Sequence, residues 1–246
     1  MSATPRLWRL LDTGAGDPAW NMAVDEALLA ALPAEGPPVL RLYRWSPPAV
    51  SLGRFQPAAE VVPPPGAVLV RRPSGGAALH HQRDELTYAV VAPYSVFPDR
   101  RPRTAYEAIH AALRHALASL GVATGAPERP GAAPRHGMCF HAPTEHDIIA
   151  GGRKLVGSAQ LRRGRAFLQH GAIPFSPSPL SPEAAALGRL CATPPSPAAL
   201  GAALTRAFGD VLGVRFVPDA LRPRERDEAE RLRAARYAAG EWTFAL

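Results

Sequence analysis

Apolar and polar residues alternate along this chain in short blocks, which predict seven strands and four helices. Residues 17–32 read as a helix. Asp17 can cap it, Pro18 suits its first position, and Met22, Ala23, Ala27, Leu28 and Ala30 give it an apolar face. Prolines at 33–38 break the chain, and residues 39–45 (VLRLYRW) then alternate like a half-buried strand. A second short strand at 49–52 ends at Gly53. A proline-rich connection at 61–66 leads to a third, 67–72 (AVLVRR), which runs into a turn at Ser74, Gly75 and Gly76. Residues 85–92 (ELTYAVVA) form another strand with Leu86, Tyr88 and Val90 on one face. The clearest helix is 104–120, with Ile109, Leu113, Ala116, Leu117 and Leu120 at helical spacing and Gly121 as its stop.

After a Pro/Gly/Ala loop at 125–134, strands are expected at 147–150, 153–160 and 166–174. Gly151–Gly152 turns the first into the second. Residues 176–182 are proline-rich and irregular. Helices follow at 197–212 and 223–239, the second heavily charged and expected to face solvent. This irregular order favours an α+β fold, a mixed and largely antiparallel sheet with helices packed on it, over a doubly wound parallel one.

A chain of 246 residues with 47% hydrophobic content can bury a substantial core, as one large domain or two small ones. Two cysteines in different contexts, Cys139 and Cys191, make no disulfide framework and suit a reducing compartment. The first residues lack the apolar run of a signal peptide. No segment approaches the ~20 apolar residues of a membrane span, so a cytoplasmic location is expected. The net charge of +7 is carried almost wholly by arginine. It fits either a compositional bias or a basic face that steers an acidic partner. Nucleic acid is not indicated, because no helix-turn-helix, zinc-finger or RNP signature is present.

Against that arginine background Lys154 is the lone lysine. An arginine keeps its proton in a protein, whereas a buried lysine can exchange one. Lys154 lies in the stretch Gly152-Arg-Lys-Leu-Val-Gly157-Ser158-Ala159-Gln160 and alternates with Leu155 and Val156, so its ammonium can enter a cleft. Gly157 and Ser158 leave room for a substrate chain, and His170, beside Gly171 on the next strand, can orient a polar group. Fifteen positions before Lys154, Cys139 stands in a loop framed by Gly137 and Pro143. A cation near such a thiol favours its thiolate, a nucleophile; a buried structural thiol is the other reading. Cys191, beside Leu190 and without charged neighbours, reads as packing. The third candidate is Arg71-Arg72-Pro-Ser74-Gly75-Gly76-Ala77-Ala-Leu-His80-His81. Its paired glycines allow close backbone approach to a ligand, or form a plain β-turn.

Together these segments resemble the lipoate/biotin protein ligase and acyltransferase superfamily. RRPSGGAALHHQRDELTYAVV is similar to its substrate-binding loop and strand, GRKLVGSAQ with LQHGAI to its lysine strand and hairpin, and RYAAGEWTF to its tail. The likeness runs from Trp8 to Trp242, so the resemblance implies one catalytic domain over residues 1–246. Cys139–Phe140 resembles the branch of octanoyltransferases that form an acyl-thioester on a loop cysteine. Ala77 stands where the ATP-dependent ligases carry a third glycine, and Thr144 and His146 occupy a loop where an aromatic is usual.

That resemblance implies Cys139 and Lys154 as catalytic residues. It implies Arg72, Ser74, Gly75, Gly76, Ala77, His80, Gly157, Ser158, Ala159, Gln160, His170 and Gly171 as substrate-binding residues. The donor would be octanoyl-acyl carrier protein, and the acceptor a lysine of a lipoyl domain or glycine-cleavage H protein. No metal or cofactor is expected, because a thioester already stores the energy a ligase draws from ATP. A monomer is expected, since both steps can be completed within one chain. The competing readings are an octanoyl amidotransferase, an ATP-dependent lipoate-protein ligase, and a non-catalytic carrier-binding protein.

Overall fold

A computed structural model of the chain describes residues 5–33, 36–132, 135–141 and 143–246. Parts of three readings (the 33–38 break, the 125–134 loop and the cysteine loop at 142), together with residues 1–4, lie outside the described residues. Among the described residues, ten strands form two sheets. They are β1 (Arg6–Gly16), β2 (Val39–Trp45), β3 (Ala49–Leu52), β4 (Val68–Arg71), β5 (Leu79–His81), β6 (Leu86–Pro93), β7 (Ile148–Ala150), β8 (Arg153–Arg163), β9 (Ala166–Ile173) and β10 (Val214–Pro218). The larger sheet has the order β10-β1-β2-β6-β9-β8-β7 and the smaller β4-β3-β5. β1 pairs in parallel with β10 and β2, and the rest of the large sheet is antiparallel. The expected α+β architecture is therefore present.

The helices are α1 (Pro18–Ala31), α2 (Pro102–Ser119), the single turn α3 (Leu187–Leu190), α4 (Pro197–Leu212), α5 (Pro223–Leu232) and the short α6 (Gly240–Thr243). Asp17 caps α1 by accepting the Trp20 N–H at 3.0 Å. β6 is buried along its whole length because both faces are covered. Leu86, Tyr88 and Val90 meet α2 and α4 through Ile109, Leu113, Leu204 and Phe208. Ala89 and Val91 meet α1 through Met22 and Leu28. Gly151 and Gly152, with φ of 55° and 74°, make the tight β7–β8 turn that positive φ at two successive residues requires. No helix among the described residues is long and apolar enough to cross a membrane.

Three features differ from the sequence reading. β1, β5 and β10 were not anticipated, because their pairing depends on partners distant in sequence. The expected helix at 223–239 ends at Leu232 and continues as a π-turn over Arg233–Tyr237. It is also not simply solvent-facing. Glu225, Ala229 and Leu232 are buried, and Glu225 pairs with Arg9.

Candidate active site

The loop carrying Cys139 is stitched to the segment after the glycine turn. Ala78 N–H donates to Gly137 O at 3.0 Å, and Cys139 N–H donates to Ala78 O at 2.7 Å. The Gln56 amide also donates to Gly137 O at 2.9 Å. Cys139 opens a single 3₁₀ turn, Cys139–His141, and this brings its Sγ over β8. There Lys154 Nζ lies 3.4 Å from Sγ and donates to Cys139 O at 3.0 Å. Its third partner is Asp147 Oδ2 at 2.7 Å, with both side chains almost fully buried. An ammonium has three N–H donors, and here each has an acceptor. Asp147 is in turn fixed by the Thr144 N–H, which donates to Oδ2 at 2.6 Å. Sequence reasoning placed Lys154 and Cys139 here and missed Asp147. The available signal was one acidic residue at the start of an apolar hairpin arm, DIIA, that folds back on the lysine strand.

Gly157 makes room for this arrangement. A Cβ there would stand 2.7 Å from Lys154 Cε, 3.1 Å from Nζ and 3.3 Å from Cys139 Sγ. The atom that must yield is the end of a flexible side chain. Gly157→Ala is therefore expected to cost less than about 1 kcal/mol of stability, yet to lower acyl transfer by about 10- to 100-fold by displacing the ammonium. Thermal unfolding and initial rates measured side by side check this. A variant that keeps full rate would show that the lysine's position is not critical.

The two arginines of the glycine turn both clamp backbone. Arg71 donates to the carbonyls of Gly53, Gln56, Trp242 and Thr243, which ties β4 to the chain's tail. Arg72 donates through Nε, Nη1 and Nη2 to Gly75 O, Ser51 O, Ser51 Oγ and Ala77 O. Its five N–H groups are matched by five such bonds, so it shapes the turn from behind. Burial lowers its pKa to about 10, and the nearby Cys139 sulfur pulls it up. The turn also needs its glycines. Gly76 has a φ of 92°, and a Cβ on Gly53 would fall 1.6 Å from Gly76 O.

A narrow, largely apolar cavity opens between the turn, β8, β9, β6 and α1. Arg72, Gly75, Gly76, Cys139, Gly157, Ser158, Ala159, His170 and Gly171 all line it, which brings together most of the expected site residues. Met22, Tyr43, Trp45, Thr87 and Ala172 are also among its lining residues, and none of these was anticipated there. His170 is held on both sides: its Nε2 lies 2.6 Å from Ser74 Oγ and its Nδ1 2.9 Å from Asp25 Oδ2. Asp25 is fully buried. Burial alone would raise its pKa, but Arg41 and His170 hold it below the usual carboxylate value. Three expected residues are placed elsewhere. Ala77 is buried, and its carbonyl accepts from Arg72. His80 faces a separate small cavity, 2.9 Å from Ser178 Oγ. Gln160 bonds Tyr94 and Gln169.

Behind Ser158 lies a buried polar cluster. Ser158 Oγ meets Tyr88 OH at 2.6 Å and His110 Nε2 at 2.9 Å, and Tyr106 OH donates to Ser158 O at 2.8 Å. Burial pushes the Tyr88 phenol up to about 12. Chiefly through burial, His110 drops from 6.5 to about 3. Below pH 6.5 the unfolded chain therefore takes up a proton at His110 that the folded chain refuses, and stability falls as the pH drops toward 3. By pH 5 this one group is worth about 2 kcal/mol. In His110→Gln the loss of unfolding free energy between pH 7.5 and pH 5 should be smaller by about that amount; an unchanged loss would show that His110 is not held neutral.

Cys191 is half-buried and packs against the main core, and neither cysteine is in a disulfide.

The sequence pattern of the lipoyl protein ligase A/B catalytic domain matches residues 17–194. The octanoyltransferase LipM of Moorella thermoacetica is 39% identical, over 96% of this chain and 97% of that protein. That of Kyrpidia tusciae is 37% identical, over 96% and 98%. Among solved structures, a lipoate-protein ligase A bound with ATP superposes with a TM-score of 0.85 at 26% identity, covering 97% of this chain and 99% of that one. A bi-partite lipoate protein ligase from Thermoplasma acidophilum, described with its E2 lipoyl domain, superposes with a TM-score of 0.79 at 25% identity, covering 98% and 97%. With its lysine strand and glycine turn meeting at one cavity, the chain belongs to the lipoyl protein ligase A/B catalytic domain family and is an acyltransferase.

Proposed function

We propose that the chain transfers an octanoyl group from octanoyl-acyl carrier protein to a lysine of a lipoyl domain or glycine-cleavage H protein, with Cys139 carrying the group between them. The observation that supports this most is the sole lysine ammonium 3.4 Å from a cysteine sulfur at the wall of a largely apolar cavity. In the first step the Cys139 thiolate attacks the donor's thioester carbon, and the tetrahedral intermediate expels the carrier's thiolate. In the second an acceptor amine attacks the acyl-enzyme, and the Cys139 thiolate leaves again. Lys154 serves as a fixed cation for the sulfur in both. Its three donors are already engaged, so the acceptor's proton is released to water. Amides of the Gly75–Gly76 turn are the candidate oxyanion donors, each such group being worth about 3–4 kcal/mol. An arginine-rich surface suits fast docking of small acidic carrier domains. The names of these relatives support octanoyl as the cargo.

The test is the intact mass of the protein after mixing with octanoyl-acyl carrier protein, with and without ATP. One octanoyl adduct, labile to hydroxylamine and independent of ATP, is expected. Modification of an acceptor only with lipoate plus ATP would establish a ligase instead. An adduct from octanoyl-H protein but none from the carrier would establish an amidotransferase.

A further inference from the structure

We infer that one row of side chains across the sheet measures the acyl chain and limits it to about eight carbons, with Met22 and Tyr43 as the end wall. The inference rests on the octanoyl-transfer reading for its donor. Its geometry comes from strand register. Gly157 on β8 is opposite Ala172 on β9, Ala172 is opposite Thr87 on β6, and Thr87 is opposite Tyr43 on β2. Residues directly opposite one another in a sheet point to the same face. All four line the cavity, so this row is its floor. Cys139 Sγ sits at the β8 end, 3.3 Å from where a Gly157 Cβ would be. Met22, fully buried on α1, and Trp45, next on the same face of β2, stand at the other end.

The floor begins flat and becomes bulky. Glycine and alanine come first, then threonine, then tyrosine. The polar atoms of the far half are turned to one another and not to the cavity. Trp45 Nε1 donates to Thr87 Oγ1 at 2.8 Å, and Thr87 Oγ1 donates to Glu85 at 2.9 Å. His81 lies 2.5 Å from Glu85 and stacks on Trp45 at 3.9 Å. An entering chain meets methyl groups and ring faces.

The length follows from strand spacing. Three intervals of about 4.8 Å separate β8 from β2 by about 14 Å. An extended eight-carbon acyl group advances about 9 Å from carbonyl carbon to methyl, the bond to sulfur adds about 1.5 Å, and contact with the wall takes a further ~3.7 Å. The two lengths agree. Two more carbons add about 2.5 Å, which the end wall does not leave free.

Hexanoyl-, octanoyl-, decanoyl- and dodecanoyl-acyl carrier proteins, competing in one mixture, test the ruler by the masses of acyl-enzyme formed at short times. Wild type should select octanoyl. Met22→Ala, which opens the end, should raise the decanoyl-to-octanoyl ratio at least about tenfold. Ala172→Val, which raises the floor midway, should lower the octanoyl-to-hexanoyl ratio by a similar factor; misplacing a methylene or two in such pockets is worth about 10- to 200-fold. A misfolded variant would lose all chain lengths together, so opposite shifts cannot arise that way. Adducts with an unchanged length profile in both variants would overturn the ruler and leave the proposed function standing. If no donor acylates even the wild type, the proposed function fails. In that case protection of Cys139 from iodoacetamide by the free fatty acids still reads the ruler: octanoate should protect wild type best and decanoate Met22→Ala, and equal protection by all lengths would overturn it.

Discussion

Cys139→Ser is expected to lower octanoyl transfer by at least about 10³-fold while leaving thermal unfolding unchanged. That factor corresponds to about 4 kcal/mol of activation free energy. A serine hydroxyl is close to the thiol in size, and the loop is held by backbone bonds from Cys139 N and Gly137 O, which the exchange does not touch. What is lost is the nucleophilicity of sulfur and, on the proposed mechanism, its ability to leave again from an acyl-enzyme. Steady-state rates with octanoyl-acyl carrier protein and an H-protein acceptor measure it, with Cys191→Ser as the control. Cys191 packs against the core, and its replacement should leave the rate within about twofold. Retention of more than a tenth of the activity in Cys139→Ser would place the nucleophile elsewhere.

The second large effect separates structure from chemistry at Lys154. In Lys154→Met, Asp147 keeps its place beside a side chain that can no longer pair with it, because both groups are buried. An unpaired buried carboxylate costs about 3–5 kcal/mol. The rate should fall by about 10²-fold or more, since Lys154 is the cation bonded to Sγ and the donors of Arg72 are spent on backbone and Ser51. Lys154→Met/Asp147→Asn removes both charges. Asparagine can still accept the Thr144 N–H, so most of the stability should return. Neither the rate nor the alkylation rate of Cys139 at neutral pH should return with it. Urea midpoints and iodoacetamide kinetics on the three proteins decide the matter. If alkylation recovers in the double variant, the lysine acts by holding the fold together and not through its charge on sulfur.

What could be read beforehand followed from local physics. The helix after Asp17, the glycine stop at Gly121 and the Gly151–Gly152 turn each depend on a few neighbouring residues. Lys154 and Cys139 were visible because each is rare in this composition. The parts that stayed hidden depend on distant pairing. β1 looks like a broken apolar run until β2 and β10 flank it in parallel. Asp25 looks like an ordinary polar position of α1, yet it meets Arg41, Tyr43 and His170, up to 145 residues away. Likewise, Arg72 looks like a free cation until its donors are found on Ser51, Gly75 and Ala77. No local pattern reveals that a charge will be enclosed by carbonyls that the fold brings to it.

The lone buried lysine has a consequence for the enzyme itself. An acyl-thioester held beside solvent reacts with whatever amine comes near, and on most proteins exposed lysines would be the first to do so. Here the one side-chain amine is buried and bonded to Asp147 and Cys139, and every other basic side chain is an arginine or a histidine. Arginine stays protonated and does not form a stable acyl-amide under these conditions. On the proposed mechanism, an acyl group carried on Cys139 would meet no second lysine of this chain, and the lysines within its reach would be those that a docked partner brings.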